Sequence, residues 1–200
     1  MSGYTIAAIP TVYRGRTYRS RLEAKWGAFF DRIGWRHEYE PFDLGAWSPD
    51  FLLPDLDTLV EVKPWTEFNE ETADRIVEAC GDKQLLLTMA APELVTGGSS
   101  KNEPVGVTLG WFLPVNEETW QHATLFWLLA IDQPRLDADI VWPPYVDGRR
   151  LRHEGQPVWL SAGGNKGYSE GPGRMMHPYP SHTMKLWADA CNAVQWEPDR

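Results

Sequence analysis

The stretch Ser48-Pro-Asp-Phe-Leu-Leu-Pro-Asp-Leu-Asp-Thr-Leu-Val-Glu-Val-Lys63 constrains the chain more than any other. Two apolar runs, Asp50–Leu53 and Leu59–Lys63, flank a Pro54–Asp57 segment whose proline and acidic residues are turn formers, so the stretch predicts a β-hairpin. If Leu53 faces Thr58, partner numbers sum to 111 and Asp50 lies opposite Glu61. Alternation then places Phe51, Leu53, Val60 and Val62 on one face, expected to be core. Asp50, Glu61 and Lys63 fall on the other, a polar face.

Two carboxylates opposite each other, with Cβ atoms about 5 Å apart, repel and weaken a sheet. A hard divalent cation between them removes the conflict, since Mg2+ prefers oxygen ligands. Lys63 points into the same site, where an ammonium can orient or help deprotonate a water and neutralise charge on a phosphate. The plainer alternative is a solvated polar face on which Lys63 pairs with one carboxylate.

Pro49-Asp50 followed after eleven residues by Glu61-Val62-Lys63 resembles the PD-(D/E)xK motif of restriction-endonuclease-like nucleases. The resemblance spans about residues 12 to 90 and identifies a superfamily, not a substrate. It implies that Asp50 and Glu61 hold one or two Mg2+ ions, for which Mn2+ can substitute, with the Val62 carbonyl as a further donor. Lys63 belongs to the same site. A further Glu often lies on the helix before the sheet, which places Glu23 among the catalytic candidates. Most members cut DNA.

The rest of the chain supplies the expected frame. Residues 1–18 read as an extended lead-in. Ser20–Gly34 is a predicted helix, with Leu22, Trp26, Phe29 or Phe30, and Ile33 at helical spacing and Gly34 as its stop. Ser20 and Glu23 also form a Ser-x-x-Glu capping box, a structural role that competes for the same Glu23 oxygens. Trp35–Glu40 reads as a strand with His37 on its surface, and Glu40 and Asp43 could join the acidic site, although their spacing says little. Glu67–Cys80 is a predicted helix ended by Gly81. Lys83–Thr88, a continuous apolar run, reads as a buried strand parallel to the second hairpin strand. Ala91–Pro104 reads as a polar loop whose Gly97–Ser100 is a candidate mobile segment. Val105–Val115 reads as a fifth strand broken at Gly110, and Asn116 as the cap of a helix reaching Ala130. Residues 132–180 are dense in Pro and Gly and read as irregular. Ser181–Trp196 is a terminal helix with Met184, Trp187, Cys191 and Val194 inward.

The expected fold class is therefore α/β: a restriction-endonuclease-like mixed sheet of four to five strands flanked by helices, with a Pro/Gly-rich C-terminal extension ending in a helix. Residues 1–130 form the core in this reading and 131–200 the extension packed on it. Eleven Trp in 200 residues are many. Most are expected in the core, and some are candidates for stacking on unpaired bases.

A net charge of −9 argues against a broad non-specific grip on nucleic acid. Basic residues are clustered, however: Arg14, Arg16, Arg19, Arg21 and Lys25 form one candidate phosphate-tracking group and Arg149–His153 another. Gly163–Gly167 lacks the phosphate-loop pattern, and Ser181-His182 lacks the context of a serine hydrolase. The start carries no basic leader, and the longest apolar run, Leu125–Ile131, is too short for a bilayer. A cytoplasmic protein with no membrane association is expected, with Cys80 and Cys191 as reduced thiols; a disulfide between them stays open.

The functional expectation is a Mg2+-dependent DNA endonuclease, structure-selective or directed by a partner, acting alone, as a homodimer or with a protein that supplies specificity. An inactive DNA-binding or assembly module on the same fold is the alternative.

Overall fold

The hairpin forms in the predicted register. In the computed structural model, which describes residues 8–45, 47–96, 104–115, 118–127, 151–153, 156–162 and 180–195, Phe51 pairs with Val60, Leu52 with Leu59 and Leu53 with Thr58. The turn closes through Leu56 N–H to Leu53 O and Asp57 N–H to Pro54 O, with Asp57 at φ 49°.

Element order is β1 (Thr11–Tyr13), β2 (Arg16–Tyr18), α1 (Arg21–Ile33), β3 (Glu38–Tyr39), β4 (Phe51–Leu53), β5 (Thr58–Val62) and α2 (Glu70–Cys80). Then follow β6 (Gln84–Thr96), β7 (Pro104–Leu113), β8 (Gln121–Trp127), β9 (Leu151–His153), β10 (Gln156–Ala162) and α3 (Pro180–Ala193). Among the described residues the main sheet has eight strands, in the order β3-β4-β5-β6-β7-β8-β10-β9. Its one parallel pair is β5 with β6, joined through α2, and its other pairs are antiparallel. The fold is mixed α/β.

Helix α1 forms where its pattern requires. Ser20 Oγ accepts the Glu23 N–H at 3.1 Å. At the far end Gly34 adopts φ 75°, and Trp35 N–H returns to Phe30 O at 2.9 Å, a Schellman-type stop that needs the left-handed residue. The inner face of α1 carries Trp26, Phe29, Phe30 and Ile33, all fully buried against Phe51, Leu53, Val60, Val62, Leu86 and Leu109. Trp26 Nε1 donates to Met89 O at 2.9 Å and its ring lies 4.8 Å from that of Trp187 on α3, tying sheet, α1 and α3 together.

The opposite face, expected to carry Asp50, Glu61 and Lys63, also holds a second core. Ala73, Ile76 and Cys80 of α2 cover Leu59, Leu85, Leu87, Met89 and Trp111. Every residue of β5 is buried. The sheet is thus sandwiched, and the end of the hairpin keeps its acidic side chains.

Several local expectations fail, each for a physical reason. Residues 11–18 form the β1–β2 hairpin, whose turn residues Arg14 (φ 49°) and Gly15 (φ 76°) are both left-handed, as a two-residue turn requires. Predicted strand Trp35–Glu40 shrinks to two residues, ending where Glu40 turns to φ 45° before Pro41. Ala91–Thr96 is not loop: β6 runs through it, re-pairing with β7 after a register shift between Thr88 and Glu93. Within the span from Asn116 to Ala130 expected as helix, Gln121–Trp127 forms strand β8. Trp120, Ala123 and Trp127 fit a helical stripe, but buried Ala123 and Leu125 equally fit a period of two, and pairing here satisfies the free edge of β7. The Pro/Gly-rich tract contains β9 and β10, and β10 pairs with β8, so the sheet has eight strands where four to five were expected. Gly97–Ser100, Gly163–Gly167, Arg149 and Arg150 lie outside the described residues.

Helix α3 turns Thr183, Trp187 and Ala190 inward, with Val194 buried just past its end; Met184 and Cys191, expected inward, are half-buried. Both cysteines are free thiols. No helix among the described residues is long and apolar enough to cross a membrane.

Gly110, where a strand break was expected, sits within β7 at φ 141° beside a register shift. A Cβ there would lie 2.0 Å from the Leu87 carbonyl oxygen, a backbone atom that cannot yield. Gly110→Ala should therefore destabilise the fold by roughly 3 kcal/mol or more, read as a lowered urea midpoint at unchanged slope.

Candidate active site

Asp50 immediately precedes β4, and its backbone carbonyl accepts the Glu40 N–H at 2.9 Å, so its strand is pinned from the β3 side. Continuing the β4–β5 register places it opposite Glu61. Asp50 is 3% exposed and Glu61 7% exposed, so two acids stand together with almost no water.

Each oxygen has a donor. Asp50 Oδ2 accepts the Val62 N–H at 2.7 Å, and Oδ1 accepts Arg19 Nη2 at 2.6 Å. Glu61 Oε1 takes Lys63 Nζ at 2.7 Å and Oε2 takes Trp47 Nε1 at 2.8 Å. Lys63 follows Glu61 by two residues, and its own N–H bonds to Thr88 O at 3.2 Å, so the end of β5 is fixed to β6 before Pro64 breaks the ladder.

Glu23 reaches the same region from the first turn of α1. Its N–H takes the Ser20 cap, while its carboxylate serves another purpose: Oε2 accepts Tyr39 Oη at 2.5 Å. Tyr39 Oη in turn accepts the Arg19 N–H at 2.8 Å. Arg19 Nε lies 2.9 Å from Glu40 Oε1 and 3.9 Å from Glu23 Oε2. A chain of contacts thus runs Glu23–Tyr39–Arg19–Asp50.

Burial, then the charge of Glu61 and to a lesser degree that of Glu23, push Asp50 up to about 7, against the Val62 N–H and Arg19, which favour its ionised form. Burial raises the Tyr39 hydroxyl, and donation to Glu23 raises it further. Burial opposes the charge of Arg19, but Asp50, Tyr39 and Glu23 outweigh it and hold the guanidinium above its usual range.

An oxygen-only donor set whose two acids disfavour each other's charge fits a hard divalent cation. Asp50 and Glu61 would hold it. Among the described residues no three of His, Cys, Asp and Glu stand together as a ligand cluster. Water would therefore complete the shell, as Mg2+ tolerates. The contact observed for Val62, the backbone group proposed as a further donor, is its N–H on Asp50.

The first basic cluster divides. Arg14 is exposed on the β1–β2 turn and pairs with Asp31 at 3.0 Å, and Arg16 is exposed on β2. Arg19 turns into the acids. Arg21 is half-buried, with an Nε that has no hydrogen-bond partner among the described residues, and Lys25 is half-buried with its charge felt at Cys191. Of the second cluster, Arg152 and His153 lie on β9. His37 is not a surface residue as expected: its side chain is 8% exposed and packs near Phe30 and Phe51, and burial lowers its pKa. Asp43 stays in its loop, accepting Gly45 N–H and Ser48 Oγ.

Sequence reasoning missed Tyr39 and Trp47. An aromatic residue with one polar atom, flanking a buried acid, is the signal that marks both. Trp26, Trp35, Trp111 and Trp187 are buried and Trp47, Trp65 and Trp120 pack against the cores.

No family model, curated protein or solved structure matches this chain.

With a native pKa near 7 against an ordinary 3.8, folding loses stability as pH rises through this interval, because the native state must release a proton the unfolded chain has already lost. Asp50→Asn removes that penalty. In EDTA its thermal midpoint should exceed wild type by several degrees at pH 8, with the difference vanishing near pH 4.

Proposed function

We propose that this chain is a divalent-cation-dependent deoxyribonuclease that hydrolyses internal phosphodiester bonds. One observation carries the reading: the β4–β5 register sets buried Asp50 against buried Glu61, with the Lys63 ammonium 2.7 Å from Glu61. Such a pair weakens the metal-free fold, and acids kept at that cost are characteristic of functional sites.

Asp50 and Glu61 are the cation ligands. They would hold Mg2+, or Mn2+ in its place, which when bound would supply Lewis-acid chemistry, acidifying water and offsetting charge on the phosphate. Lys63 is part-buried and oriented by Glu61, so its ammonium is held in place to bind the attacking water and to counter negative charge on the phosphate oxygens. Trp47 fixes the second Glu61 oxygen. Glu23, oriented by Tyr39, would act through water or help to hold a second ion. Arg14 lies exposed on the β1–β2 turn, where it can meet the backbone of a bound strand. The products of this reading are a 5′-phosphate and a 3′-hydroxyl. A net charge of −9 and the lack of a sequence-reading motif favour structure-selective or partner-directed cleavage of DNA in a restriction-endonuclease-like frame.

A second reading has its own support. All four oxygens of Asp50 and Glu61 already accept a donor, as they would in an inactive binding or assembly module that replaced the cation with Arg19 and Lys63. Incubating the chain with labelled single-stranded, duplex, flapped and four-way-junction DNA, with Mg2+, Mn2+ or EDTA, separates the two. Metal-dependent cutting that falls at least a hundredfold in Lys63→Ala is the expected result, with far-ultraviolet dichroism unchanged. Absence of cutting on every substrate, together with no thermal stabilisation by either cation, would overturn the metal-dependent reading and leave the module.

A further inference from the structure

Arg19 lies on the short link between β2 and α1, and its guanidinium is held from two sides. Nη2 donates to Asp50 Oδ1 at 2.6 Å, and Nε pairs with Glu40 Oε1 at 2.9 Å. The two acids differ in kind. The Asp50 side chain is 5% exposed, whereas that of Glu40 is 43% exposed and that of Arg19 itself 55%. The Arg19 main chain is fixed through its N–H to Tyr39 Oη, so its backbone is anchored while its head group remains wet.

Asp50 Oδ2 is taken by the Val62 N–H, a backbone donor that cannot leave without breaking the strand end. Oδ1 is therefore the oxygen through which Asp50 would accept a cation, and Arg19 is the group that stands on it. A guanidinium and a divalent ion on one oxygen repel each other, so the weaker and more exposed contact gives way.

From this arrangement we infer that Arg19 is an exchangeable countercharge that regulates the site. It neutralises Asp50 while no divalent cation is bound. It withdraws from Oδ1 when one binds, and Glu40 retains it at the rim. The inference rests on Asp50 being a metal ligand. Its consequence is a built-in threshold, because cation binding must first overcome the Arg19–Asp50 contact. The released edge of Arg19, a planar fork of N–H donors, then suits a phosphodiester, which links cation loading to substrate binding at one side chain.

Calorimetric titration of Mn2+ into the full chain, without nucleic acid, tests this. Arg19→Ala should bind Mn2+ about five- to tenfold more tightly than wild type, the range expected for losing a competing half-exposed ion pair. Arg16→Ala, which deletes an exposed charge on the adjacent strand, should stay within about twofold, since screened surface charge does little. Glu40→Gln removes the group that receives Arg19 and should weaken Mn2+ about threefold, an effect that disappears in the Arg19→Ala background. Glu40 is half-exposed, so this variant also serves if Arg19→Ala fails to fold. Wild-type binding with unchanged or weaker binding by Arg19→Ala, equal gains from Arg16→Ala, or an unaltered Glu40→Gln would each overturn the countercharge while leaving the metal site standing. No Mn2+ binding by wild type and Arg19→Ala alike would remove the metal site and this inference with it.

Discussion

The antiparallel registration of β4 on β5 is the constraint from which the rest follows. A shift of one residue would turn Phe51, Leu53, Val60 and Val62 out of the α1 core and carry Asp50 away from Glu61. The register is held by burial on both faces, since β5 is covered by α1 on one side and α2 on the other. Apolar packing therefore enforces an electrostatic arrangement that no polar preference would choose. The acids do not stabilise the hairpin; the hairpin confines the acids.

Around that pair the chain distributes compensation unevenly. Glu61 is served by Lys63 and Trp47, both from the hairpin stretch or its approach, so its environment is local in sequence. Asp50 depends on Arg19 and, through it, on Tyr39 and Glu23, which come from α1 and β3. Moving α1 relative to the sheet would thus disturb Asp50 far more than Glu61. Trp26, bonded to Met89 and packed on Trp187, opposes such movement together with Phe29, Phe30 and Ile33.

Legibility in the sequence followed the range of the governing interaction. The hairpin register, α1 with its Ser20 and Gly34 caps, α2 and the parallel β5–β6 pair could be read because turn chemistry, capping and periodicity are local signals. Strand β8 could not, because an apolar-rich run of seven residues satisfies both periods, and the unpaired edge of β7 decides between them only once the sheet exists. The same holds for β10, whose partner β8 had itself been read as helix. At the site, Asp50, Glu61 and Lys63 lie close together because they share one hairpin. The sequence placed Arg19 in a phosphate-tracking cluster, and its contact with Asp50 spans 31 residues, a distance at which no spacing rule operates.

The sheet also acts as a partition. Cys80 sits in the core beneath α2, and Cys191 borders the core formed by α1 and α3, so the two thiols lie on opposite sides of a continuous layer of strands. They cannot meet while that layer is intact. A disulfide between them within one chain would therefore record that the sheet had come apart, giving the protein an internal chemical memory of unfolding.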